Sequence, residues 1–120
     1  MNAISPLGAS DLQGWQSRGW ALFPGIIGTD ELARLRKEAD RLWDDQGLFA
    51  ARGSVPNSPT RSDRLDPFID LSPPFANLAR DARLLAAAGS VLGGEPQLMK
   101  DKFIFKPAGS GAYAAHQDGA

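Results

Sequence analysis

The first apolar run along the chain is Trp20-Ala21-Leu22-Phe23, closed by Pro24-Gly25. A short apolar run bounded by turn residues reads most simply as a strand. Ahead of it, Ser10 or Asp11 is placed to cap a short helix reaching about Arg18, with Gly19 as its stop. Beyond it, Leu32, Leu35, Ala39, Leu42 and Trp43 recur at helical spacing, and Arg34, Lys37, Glu38 and Arg41 occupy the other face. This stripe predicts a core-packing amphipathic helix over about 30–46. Thr29 is its expected cap, Asp30 and Glu31 suit the positive end of its dipole, and Gly47 is its expected stop. Phe75 to Ala79 gives one more helical turn. A second long helix is predicted over 81–92, with Asp81 as cap, Leu84, Leu85, Ala88, Val91 and Leu92 as its apolar positions, and Gly93-Gly94 as terminator.

The period changes from helical to alternating at Gln97–Lys106. Odd positions read Gln97, Met99, Asp101, Phe103, Phe105; even positions read Leu98, Lys100, Lys102, Ile104, Lys106. A strand with one aromatic face and one lysine-bearing face is the expectation. That lysine face is either solvated, as one face of an antiparallel sheet commonly is, or lines a cavity that receives an anion. Arg64 to Asp70 suggests a further short strand, which Pro67 limits to an edge or a bulge. Gly53 to Ser62 is a polar Pro/Ser/Asn/Arg loop, either a lid or a connector. After the turn Pro107-Ala108-Gly109-Ser110-Gly111, residues Tyr113 to Asp118 begin another strand. The sum is an α+β chain, a single domain over 1–120, with helices packed on an incomplete antiparallel sheet.

Composition narrows the function classes. The 120 residues are 42% hydrophobic and 22% charged, a globular balance. A net charge of −1 with interspersed signs offers no basic surface, so nucleic acid is not the expected partner. No cysteine is present, which removes disulfides, zinc ribbons and thiol nucleophiles and fits a reducing cytoplasm. The opening residues lack a basic and apolar leader, and no apolar run reaches the length of a membrane span. A cytoplasmic protein without membrane contact is expected.

The candidate chemistry lies in Ala115-His116-Gln117-Asp118-Gly119. His116 is the sole histidine, and Asp118 follows two positions later. In an extended segment residues i and i+2 share a side, roughly 6.6–7 Å apart at Cα. An imidazole and a carboxylate so placed reach one metal ion, and they form two-thirds of the 2-His-1-carboxylate triad of non-haem iron oxygenases. By itself the three-residue spacing also fits an ordinary surface histidine.

The order of features resembles the phytanoyl-CoA dioxygenase family of iron(II)- and 2-oxoglutarate-dependent oxygenases. Gly19-Trp20-Ala21-Leu22-Phe23-Pro24-Gly25 resembles its opening strand and turn. Thr29-Asp30-Glu31-Leu32 with the helix to Trp43 resembles its first long helix. Leu78-Ala79-Arg80-Asp81, followed by Leu84-Leu85-Ala86-Ala87-Ala88 and Val91-Leu92-Gly93, resembles the helix before the barrel. Lys102-Phe103-Ile104-Phe105-Lys106-Pro107, a glycine-rich turn and then His116-Gln117-Asp118 resemble the first core strands, and this last spacing is the most specific part. The resemblance implies a double-stranded β-helix, or jelly roll, of which this chain holds the N-terminal helices and first strands. It implies His116 and Asp118 as metal ligands, Fe(II) as the metal, 2-oxoglutarate as cosubstrate and a small organic molecule as substrate. Lys102 is the candidate contact for an anionic cosubstrate or substrate. A second histidine is absent from the 120 residues. The expectation is therefore an N-terminal fragment of such a dioxygenase, inactive alone, with exposed strand edges that favour self-association. The alternatives are a non-catalytic binding or scaffold domain derived from that fold, and one half of a two-chain enzyme.

Overall fold

A computed structural model describes residues 9–52 and 63–118. Helix α1 spans Ala9–Arg18, α2 Thr29–Asp44 and α3 Gln46–Arg52. Strand β1 is Arg64–Leu65, a 3-10 turn covers Ile69–Leu71, α4 is Pro73–Ala79, α5 is Ala82–Leu92 and β2 is Phe103–Ile104. Helices and a short two-stranded sheet are both present. Among the described residues no helix is long and apolar enough to cross a membrane. The expected loop at Gly53 to Ser62 lies outside the described residues.

The two long helices form where the 3.6-residue period places them, and their ends differ in detail. α2 is capped by Gly28 without a side-chain hydrogen bond, and Thr29 is its first helical residue rather than its cap. It stops at Asp44 instead of Gly47, because Asp45 turns outward and starts α3. The Asp45 carboxylate accepts from Gly47 N at 3.1 Å and Leu48 N at 3.3 Å, satisfying backbone donors of the new helix. α5 ends as predicted, at Gly93 with φ +72°, a left-handed conformation in which glycine meets no Cβ penalty. Asp81 caps α5 by accepting from Arg83 N at 2.8 Å. α1 begins at Ala9, so Ser10 and Asp11 lie inside it rather than ahead of it.

The core is largely aromatic. Leu42, Phe49, Leu65 and Phe68 are buried, and Trp43, Phe75, Phe103 and Phe105 pack around them. Phe103 and Phe105 stack with centroids 4.3 Å apart, and Trp43 stacks on Phe105 at 4.9 Å. Phe68 and Phe75 meet Phe103 edge-on at 5.3 Å each. The alternation predicted for this strand therefore holds where it matters, with the Phe103 and Phe105 side turned to the helices.

The expected strands are much shorter than the pattern suggested. β1 and β2 pair antiparallel, Arg64 opposite Ile104 and Leu65 opposite Phe103, and Phe105 N donates to Asp63 O at 2.8 Å. β1 cannot run to Asp70, because Pro67 has no N–H to donate and the chain bends there into the 3-10 turn. With so short a partner, only two of the residues 97–106 have ladder positions. Trp20–Phe23 is not a strand, and neither is 113–118: apolar alternation supplies a face, but a strand needs a neighbour's backbone to bond, and none lies beside these segments among the described residues. Trp20 and Leu22 accordingly remain exposed.

Asp101 shows how the bend after β1 is held. Its Oδ2 accepts from Phe68 N at 2.7 Å and Ile69 N at 2.9 Å. A carboxylate on the aromatic side of a strand must find donors, and these two backbone groups meet that need. Arg52 adds a two-pronged ion pair to Asp70, with nitrogen–oxygen distances of 2.8 and 2.6 Å.

Candidate metal centre

After β2 the chain turns through Pro107 to Ser110, where Ser110 N donates to Pro107 O at 3.1 Å. It then runs without ladder bonds through residues 111–117. This exposed segment carries His116 and Asp118. Their side chains converge: His116 Nε2 lies 3.3 Å from Asp118 Oδ1. His116 Nδ1 lies 2.8 Å from Ala114 O.

These two distances constrain the chemistry. With its proton on Nδ1, the imidazole donates to the Ala114 carbonyl, an arrangement that fixes tautomer and ring orientation in many metal-ligating histidines. Nε2 then presents a lone pair to a carboxylate oxygen. Two acceptors at 3.3 Å repel unless a cation lies between or beside them, either a proton on Nε2 or a metal ion. Two donors about 2.1 Å from one ion and at right angles to each other would be about 3 Å apart, so the observed separation suits adjacent coordination positions. The Asp118 side chain is 99% exposed, and surface ion pairs contribute little to stability. Among the described residues no set of three or more His, Asp or Glu side chains is grouped to hold a metal.

Tyr113, three residues before His116, links this segment to the sheet. Arg64 Nη2 donates to its hydroxyl at 2.7 Å. The Arg64 guanidinium carbon and Lys106 Nζ lie 5.8 and 5.1 Å from the ring centroid. Sequence reasoning singled out neither Tyr113 nor Arg64. The two are 49 positions apart, and no local pattern joins them.

Lys102, the candidate anion contact, lies 3.6 Å from Asp66 Oδ2, with both side chains about one-third exposed. Its charge faces a carboxylate of the bend after β1. A cavity of about 250 Å³ lies on the aromatic side of β2, between Trp43, Phe103, Phe105 and Lys106. One of about 350 Å³ lies between α2 and α4, beside Glu31, Asn77 and Asp81. Neither is lined by His116 or Asp118.

The perturbed carboxyls belong to the scaffold. Arg83 donates to Asp81 and to Glu31 of α2 at 2.7–2.9 Å, tying the start of α5 to the start of α2. The Arg83 guanidinium, followed by the Arg83 backbone N–H, lowers the Asp81 carboxyl from 3.8 to about 2. Glu38 is lowered chiefly by Arg41, against a desolvation cost, and also accepts from the buried Ser72 hydroxyl at 2.7 Å.

Comparison with known proteins points in one direction. The chain is 30% identical over 115 residues to the ectoine dioxygenase of Streptomyces avermitilis, covering 94% of this chain and 39% of that protein. It is 32% identical over 113 residues to the ectoine dioxygenase of Halomonas elongata, covering 91% and 33%. It is 27% identical over 113 residues to the methylphosphonate hydroxylase of Gimesia maris, covering 91% and 43%. The chain thus spans roughly two-fifths of the length of the curated relatives it matches. No family model matches it, and no solved structure matches it significantly. The chain is related to dioxygenases, a class of oxidoreductase.

Proposed function

We propose that this chain is the N-terminal part of an iron(II)- and 2-oxoglutarate-dependent dioxygenase that hydroxylates a small organic molecule. His116 and Asp118 supply two of the three protein ligands. The observation that carries the reading is the approach of Nε2 and Oδ1 to 3.3 Å, with Nδ1 set against the Ala114 carbonyl. The donor types suit the metal: an imidazole nitrogen and a carboxylate are two members of the facial triad of non-haem iron(II) oxygenases. When bound, iron(II) and 2-oxoglutarate would activate dioxygen, one oxygen atom passing to succinate as carbon dioxide leaves and the other replacing C–H by C–OH. The part of this chain is to hold the imidazole in one tautomer, place the carboxylate beside it, and carry both on a segment tied to the sheet through Tyr113. Within this reading β1, β2 and the segment carrying His116 belong to a jelly-roll barrel, and Lys102, just ahead of β2, would exchange Asp66 for an anionic group.

Cobalt(II), a spectroscopic substitute for iron(II), tests the ligand assignment. The chain is expected to bind it with a d–d absorption band, more weakly as pH falls because protons compete for the ligands. His116→Ala and Asp118→Asn should each weaken binding at least about tenfold, as loss of a direct ligand requires. Equal affinity in His116→Ala would falsify the assignment. The triad needs two histidines and the 120 residues hold one. Succinate release from 2-oxoglutarate by this chain alone is therefore expected at background level, and is expected to rise when strands carrying a second histidine are supplied.

A further inference from the structure

We infer that Tyr113 is a positioning residue that holds the His116–Asp118 segment against the sheet. The contacts of His116 and Asp118 are local: each meets the other, and His116 meets Ala114. None of these reaches the core, and residues 111–118 are exposed. Tyr113 reaches the sheet. Its hydroxyl accepts from Arg64 Nη2 at 2.7 Å, and Arg64 is fixed in the β1–β2 ladder opposite Ile104. Its ring lies within about 6 Å of two cations, the range in which a positive charge is drawn to an aromatic face. One of these is Arg64 on β1, and the other is Lys106, two residues past β2. Strand β1 and the segment just past β2 therefore meet the same side chain.

Three residues of backbone then carry the fixed point to His116. A ligand pair tethered this way loses less freedom on meeting a cation than one on a free arm, so the anchor raises metal affinity without touching the metal. The metal part of this inference rests on the proposed ligand roles; the anchoring part does not.

The test uses the 120-residue chain and two variants. Tyr113→Ala removes ring and hydroxyl. Tyr113→Phe keeps the ring between Arg64 and Lys106 and removes only the hydroxyl. Backbone {1H}–15N NOE values in metal-free protein should fall at 114–118 in Tyr113→Ala, fall less in Tyr113→Phe, and stay unchanged at 103–105. Unchanged values at 114–118 in Tyr113→Ala overturn the anchor. An equal fall at 103–105 also overturns it, because Tyr113 would then be a general stabiliser. Cobalt(II) affinity should drop about tenfold in Tyr113→Ala, with partial recovery in Tyr113→Phe. Full affinity in Tyr113→Ala, with binding lost in His116→Ala, overturns the positioning role. Cobalt(II) binding that survives His116→Ala instead overturns the ligand assignment, and the NOE comparison then decides the anchor by itself.

Discussion

The region around Leu42 and Leu65 and the segment from Gly111 to Asp118 are built on opposite terms. In the first, two leucines with no exposed surface sit among Phe49, Phe68 and the Trp43–Phe105–Phe103 stack, and rings from α2, α3, α4 and β2 meet. In the second, every residue is exposed, no ladder bond forms, and Tyr113 meets Arg64 of β1 and Lys106 just past β2. Yet the second holds the only imidazole of the chain, beside a carboxylate. Stability and candidate chemistry are thus kept apart. Tyr113 is a point at which the ligand segment meets the sheet.

Core truncation should test this separation most severely. Leu42→Ala or Leu65→Ala removes a fully buried side chain and is expected to cost about 2–5 kcal/mol in denaturant unfolding, lost burial and residual cavity together. A cost under about 1 kcal/mol would mean that the aromatic cluster collapses into the gap, and the contrast would weaken. Next in size is Ser72→Ala. Ser72 is buried, donates to Glu38 at 2.7 Å and accepts from Phe75 N at the start of α4. The expected loss is about 1–2 kcal/mol, read by the same unfolding curves, since both a cap and a buried donor disappear.

Acid should sharpen the picture further. The folded-state Asp81 carboxyl is depressed from 3.8 to about 2 by Arg83. A depressed carboxyl contributes stability that is complete above its unfolded value and disappears as pH falls through its folded one. The pairing of Asp81 with Arg83 at the start of α5 should therefore weaken from about pH 4 down to about pH 2, following the cited shift. In Asp81→Asn that portion of the acid transition, followed by helical circular dichroism, should be missing. An identical acid transition in the variant would remove Asp81 from the scaffold's pH response. The smallest effect belongs to the ligand segment: His116→Ala should change unfolding stability by less than about 0.5 kcal/mol while weakening metal binding. A large loss of stability there would erase the distinction between the two regions.

The sequence by itself determined those features that repeat within one turn or one pleat. The stripe from Leu32 to Trp43 specified α2, and Asp81 with Gly93 bracketed α5, because a helix satisfies its backbone locally and needs only a face to bury. The alternation at Phe103 and Phe105 identified which side of β2 meets the helices. The i, i+2 spacing of His116 and Asp118 was enough to suggest convergence, and even the break at Asp45 carried a capping residue that could have been read as a new start.

What the tertiary structure alone decided was everything that depends on a distant partner. Trp20–Phe23 had the composition of a strand but no neighbour, and β1 was cut to two residues by Pro67 and the bend beyond it. Asp101 found two backbone donors 32 and 33 positions away, Lys102 found Asp66, and Tyr113 found Arg64. Strand pairing and side-chain anchoring are bonds between segments far apart in the chain. Their geometry depends on where the fold brings those segments together, and a linear pattern has no term for it.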